Sequence, residues 1–168
     1  MEYRIVEKIL AELRGAIAGE ELPAFRSRLR VLRDKGIPDL EKPGKGSRVS
    51  YSFEDLWEIG FALSLETFGL PPQKVEKIVH FSRGLMLDDT REQEKKIGKD
   101  IWAQIVALYL NPSDPSSQSA VSVQLAPLKV HMSSMLSTEE PGTSLLFGLI
   151  NLSALTREIE QIAAKHVK

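Results

Sequence analysis

Arg26, Arg30 and Arg33 recur at i, i+4 and i+7. On a helix this spacing stacks three guanidiniums along one flank. Each stays charged at any physiological pH and presents a rigid fork of donors. Such a fork can bond the edge of guanine through two atoms or grip a phosphate. Ser27 lies among them, placed to touch a phosphate or a base. A second group of cations, Lys42, Lys45 and Arg48, follows in the turn-like stretch DLEKPGKGSRVS, and Tyr51 stands at its end. The chemistry on offer is capture of a polyanion: cations displace its condensed counterions, and the binding weakens steeply with salt. Phosphate contacts would position the chain and base contacts would specify sequence, with no assignment of one arginine to either task. The competing reading is a solvated basic face.

The distribution of charge sharpens the first reading. The 168 residues carry a net charge of −1. Between Phe25 and Ser50, however, stand eight cations and three anions, a local +5. The remaining chain holds 14 cations and 20 anions, a balance of −6. A basic face on an acidic body suits a protein that meets a polyanion at one place. At 42% hydrophobic the chain can bury a core. It has no cysteine, which excludes disulfides, thiolate metal sites and cysteine nucleophiles and fits a reducing, cytoplasmic setting. The opening MEYRIVEKIL is charged throughout, unlike a secretory signal, and no long uncharged apolar run suggests a membrane span.

The cations need elements to hold them. Val6, Leu10, Leu13 and Ile17 predict a helix over 2–18, stopped by Gly19. Phe25, Leu29 and Leu32 predict a second helix over 23–35, their row turned about 100° from the arginines. Gly36 ends it and Pro38 forbids its continuation. Val49 and Tyr51 alternate with polar neighbours, so 39–50 reads as a small two-stranded flap. Ser52 and Asp55 form a capping-box pattern before a core helix with rows Leu56, Ile59, Leu63 and Trp57, Phe61, Phe68. Pro71 and Pro72 open a further helix that turns Val75, Ile78 and Val79 inward.

Beyond this the reading is coarser. Residues 88–100 are charged, either a linker or the exposed start of a helix. Residues 101–110 are apolar, and the loop-like NPSDPSSQS at 111–119 is the best candidate boundary. Val121, Val123 and Leu125 alternate, as do Leu128, Val130 and Met132, with Pro127 between. A third strand is expected over 144–152. A final helix over 153–168 carries Leu155, Ile159, Ile162 and His166 in one row. That row fits either internal packing or pairing with a second copy.

The stretch from Leu29 to Val79 resembles the MerR-like DNA-binding domains. LRVLRDKGI is similar to the end of that family's second helix. GSRVSYSFEDL is similar to its wing and the acidic start of the next helix, and FGLPPQKVEKIV to its Gly-apolar turn and short following helix. Val31-Leu32 stand where the family has paired aromatics. The resemblance implies a winged helix-turn-helix and binding of double-stranded DNA. It also offers residues 92–110 as a short version of the family's dimerising helix.

Other chemistry is poorly supplied. His80, His131 and His166 are far apart and have no metal-ligand spacing. PGKG lacks the length and setting of a phosphate loop. Asp88-Asp89 and Glu139-Glu140 read as solvated pairs, and Ser116-Ser117 and Ser133-Ser134 lack a nearby base. Trp57 and Phe61 read as core.

The expected fold class is therefore mostly α with a small β component: a winged helix-turn-helix domain plus a C-terminal α+β region. The segments are an N-terminal helix at 1–22, the winged domain at 23–84, a helix and linker at 85–119, and a dimerising or effector-sensing region at 120–168. The expected function is a non-enzymatic, sequence-specific transcriptional regulator acting through Arg26, Ser27, Arg30, Arg33, Lys42, Lys45, Arg48 and Tyr51. No cofactor or metal is expected. Duplex DNA is the main partner, and a homodimer or an unidentified ligand or protein would engage the C-terminal region. Two alternatives compete. One is a protein-interaction module docking its basic helix on an acidic partner. The other is a small-molecule sensor using a cavity near His131, Met132 and Phe147.

Overall fold

A computed structural model describes residues 1–16, 21–40, 49–70, 72–82, 86–109, 118–127 and 144–167. It is mostly helical, with one small antiparallel sheet. The helices are α1 (Tyr3–Leu13), α2 (Glu21–Asp34), α3 (Phe53–Glu66), α4 (Pro72–Ser82), α5 (Met86–Ile97) and α6 (Leu152–His166). The strands are β1 (Ile101–Tyr109), β2 (Gln118–Pro127) and β3 (Ser144–Asn151). Two compact units emerge: Met1–Leu87 with Leu155–Lys168, and Asp88–Ala154.

In the first unit α3 is the hub. Leu56, Trp57, Ile59, Phe61, Ala62, Leu63 and Leu65 are all buried, which explains apolar residues on most of its sides. Its start is the reciprocal box read from sequence: the Asp55 amide donates to Ser52 Oγ at 3.1 Å and the Ser52 amide to Asp55 Oδ2 at 2.7 Å. α1 and α4 both pack on it, and α2 touches α1 and α4. The body of α6 returns here with Leu155, Ile159 and Ile162 buried, and a Cβ on Gly60 would meet both Leu155 and Ile159. The apolar row of α6 is therefore used within the chain, against α3.

α2 ends as its sequence demands. Gly36 takes a φ of 72°, its amide bonds Arg33 O at 2.9 Å, and the Ile37 amide reaches Leu32 O at 2.9 Å. This is a Schellman closure, completed by the burial of Leu32 and Ile37. α1 stops earlier than expected. Gly15 takes the left-handed turn at φ 70°, and the Ala16 amide closes on Ala11 O at 2.8 Å. The first glycine able to close the helix ends it, and Ile17 falls outside the described residues.

Three further expectations change. Residues 49–52 form no strand: the Tyr51 amide instead bonds Met1 O at 2.8 Å, and the Met1 amino group donates to Tyr51 O. The flap's turn at 41–48 lies outside the described residues. A helix over 92–110 does not form, because α5 closes before Gly98 at φ 67° and 101–109 is a strand. The 111–119 stretch does not separate two regions. It joins β1 to β2, which pair from Ile101↔Pro127 through Tyr109↔Gln118.

The second unit is organised on β1, the central strand in the order β2-β1-β3. β3 pairs antiparallel with it from Trp102↔Asn151 to Tyr109↔Ser144. The expected strand at 128–132, the Glu139-Glu140 pair and His131 lie outside the described residues. Asn151 closes the sheet and opens α6: its Oδ1 accepts from the Ala154 amide at 2.8 Å, and its Nδ2 donates to Asp100 Oδ2 at 2.9 Å. Ser153 Oγ accepts from the Ile101 amide at 2.9 Å, satisfying a buried donor.

Candidate nucleic-acid interface

Phe25, Leu29 and Leu32 are buried, each to 5% exposure or less, and they orient α2. Burying three such side chains stabilises this orientation by about 1.5–3 kcal/mol apiece. The cations are thereby placed on the remaining surface, where Arg26, Arg28, Arg30 and Arg33 are all exposed. They do not stand alike.

Arg26 faces α1. Its Nε donates to Glu7 Oε1 at 2.9 Å and a terminal nitrogen lies 2.8 Å from the same oxygen. Arg33 also leans on α1, its guanidinium carbon 6.0 Å from the ring centre of Tyr3, at cation–π range. The Tyr3 hydroxyl is held above its usual pKa by burial and then by Glu7, while Arg33, Arg26 and Arg30 pull it the other way. The whole guanidinium row thus lies within electrostatic reach of one phenol. Arg30 is turned about 40° beyond Arg26 and about 60° beyond Arg33, toward the side of α2 farthest from the core. Among the described residues it forms no ion pair. Its donors remain for a ligand.

Ser27 is exposed on that outer side, and its hydroxyl donates to Pro23 O at 3.1 Å. The lone pairs left over can accept from a base amino group but give a phosphate nothing. Val31, one turn on, is 43% exposed. At the end of α2, Lys35 is paired with Glu76 of α4 at 3.2 Å, and the His80 ring donates to Lys35 O at 3.3 Å.

Tyr51 does not belong among surface contacts. It is 4% exposed, its ring 6.1 Å from that of Tyr3, and burial raises its pKa while Arg33 opposes the shift. The sequence placed Tyr51 at the end of a DNA-contacting flap, but the chain here follows Met1 rather than a flap strand. Tyr51 supports Tyr3, which in turn carries Arg33. Lys42, Lys45 and Arg48 lie outside the described residues.

Tyr3 and Glu7, one turn apart on α1, are the residues that local spacing could not reveal. Their meaning comes from the pairing of α1 with α2 across residues 14–20. Elsewhere, His166 meets Glu12 at 2.9 Å, and Glu12 also accepts from Lys165 at 2.6 Å. Among the described residues no acidic or histidine cluster is arranged to hold a metal, and no helix is long and apolar enough to cross a membrane. No protein-family model matches this chain, and no curated protein matches it significantly.

Proposed function

We propose that this chain is a sequence-specific regulator that binds duplex DNA through a MerR-like winged helix-turn-helix. In this reading α1 and α2 are the two helices of the motif and α2 enters the major groove. The observation that carries it is the division of α2. Its apolar row is buried, while Arg30 extends outward without an ion partner among the described residues, between Ser27 and an arginine pair braced by α1. A helix so presented, with braced cations along one flank, meets the needs of groove entry. Arg30 and Arg33 contact bases or phosphates, Arg26 is held at the groove wall by Glu7, and Lys42, Lys45 and Arg48 grip the backbone from the wing. Dimerisation on two half-sites would need a surface other than the apolar row of α6.

The test is selection of bound sequences from random duplex DNA, followed by gel retardation on the enriched site. Arg30→Ala with Arg33→Ala should abolish sequence-selective retardation while circular dichroism shows a folded chain. No enrichment, or unchanged retardation by the folded double variant, would remove the reading. The same outward face would also suit an acidic protein partner. Retention on heparin without any preference for duplex sequence would move the proposal there.

A further inference from the structure

We infer that Arg14 and Arg28 form a two-armed clamp for one backbone phosphate of the bound duplex, an inference that rests on the DNA reading above. Arg14 immediately follows α1 and Arg28 sits in the middle of α2, on the flank away from the Arg26–Arg33 row. The fold brings both to one groove of about 530 Å³, floored by Val31, Leu70 and Pro72. Both also line the adjoining cavity of about 260 Å³.

Glu66 is the carboxylate common to both linings. Each guanidinium acts on it electrostatically, yet among the described residues neither forms an ion pair with it. In the larger groove two cations face this one carboxylate, which leaves a net positive charge there, while Glu21 lines only the smaller cavity. The hydroxyl protons along this wall are already used: Ser27 donates to Pro23 O and Thr67 to Ser64 O. The donors left to an anion are the two guanidiniums. Unlike Arg26 and Lys35, which are bonded to Glu7 and Glu76, they stand with Arg30 as cations of this region that form no ion pair among the described residues.

A phosphodiester carries two non-bridging oxygens and one charge, which matches two forks and one uncompensated cation. The groove opens beside Ser27 and Val31, on the outer side of α2. When a helix lies in the major groove, a phosphate strand runs along each of its flanks. The clamp and the Arg26–Arg33 row would then hold opposite walls.

The test uses the full chain and its selected duplex, with binding measured by fluorescence anisotropy over a salt series. Arg14→Ala and Arg28→Ala should each weaken binding about tenfold without changing the ranking of sequences. The double variant should flatten the slope of log K against log salt by about 0.9, the release expected for one phosphate. Replacing single phosphates by uncharged methylphosphonates should find one position that costs the wild type affinity and costs the folded double variant nothing. An unchanged slope, a loss of about 1.8 for two separate phosphates, or no such position would overturn the clamp while Arg30-dependent binding still stood. Absence of any duplex binding by the wild type would remove the parent reading, and the clamp with it.

Discussion

The indole nitrogen of Trp57 donates to the hydroxyl oxygen of Thr156 at 2.9 Å, joining the second turn of α3 to the second turn of α6. Both residues are buried, and the Trp57 ring stacks on Phe61 with centroids 5.5 Å apart. The indole has a single donor, so its partner decides whether that donor is satisfied. Thr156→Val keeps the shape and removes the acceptor. It should cost about 1–3 kcal/mol in urea denaturation, whereas Thr156→Ser should recover most of the loss. Equal stability of the valine variant and the wild type would show that the indole finds another acceptor.

A few residues along α3, Gly60 lets α6 approach. A Cβ there would stand 2.9 Å from Ile159 Cδ1 and 3.5 Å from Leu13 Cδ2. Ile159 is fully buried, so its terminal methyl has no solvent to swing into. Alanine at 60 would gain up to about 1 kcal/mol of helix propensity. Overpacking against Ile159 would cost about 1–3 kcal/mol. A net loss is expected for Gly60→Ala. Ile159→Val removes the offending methyl, so it should cost less in the Gly60→Ala background than in the wild type. Strict additivity in that double-mutant cycle would refute the contact.

Tyr51 separates positioning from recognition. Its ring is buried beside Tyr3, and Tyr3 carries Arg33. Tyr51→Phe should leave DNA affinity within about twofold, because the hydroxyl makes no direct contact in the proposed complex. Tyr51→Ala should lower stability by about 3 kcal/mol or more, as for other large aromatic truncations in a core. Anisotropy and thermal melting on the same samples would decide. A large affinity loss for the phenylalanine variant at unchanged stability would restore Tyr51 to the surface set.

The sequence was most informative where one local pattern has one solution. The Ser52–Asp55 box, the Gly36 stop and the Phe25–Leu29–Leu32 face appear in the structure as their spacing requires. It misled where two solutions share a pattern. Gly15 and Gly19 could each end α1, and the nearer one does. β1 was hidden because a central strand loses its alternation: Ile101, Ala103 and Gln104 are all buried, so both faces read alike. Side-chain meetings between helices, such as Glu7 with Arg26, leave no trace in periodicity. That is why the arginine row looked uniform in sequence and is divided in the fold.

Two carboxylates give opposite dependences on pH. Glu12 accepts hydrogen bonds from Lys165 and then His166, which hold its pKa below the ordinary 4.5. Its contribution is present above that value and is lost as pH falls through the lowered folded one. Glu66 is held above 4.5 by burial, against the pull of Arg28 and Arg14. The folded chain binds this proton more tightly, so stability falls as pH rises from 4.5 through the raised folded value. Denaturation measured across this acid range should therefore show a maximum rather than a monotonic rise. Glu66→Gln should remove the decline on its upper side and stabilise the chain at neutral pH, while Glu12→Gln should flatten the lower side. If both variants instead shift the curve in the same direction, the two environments have been assigned wrongly. An NMR titration of the Glu66 side chain would then show a pKa at or below the ordinary value.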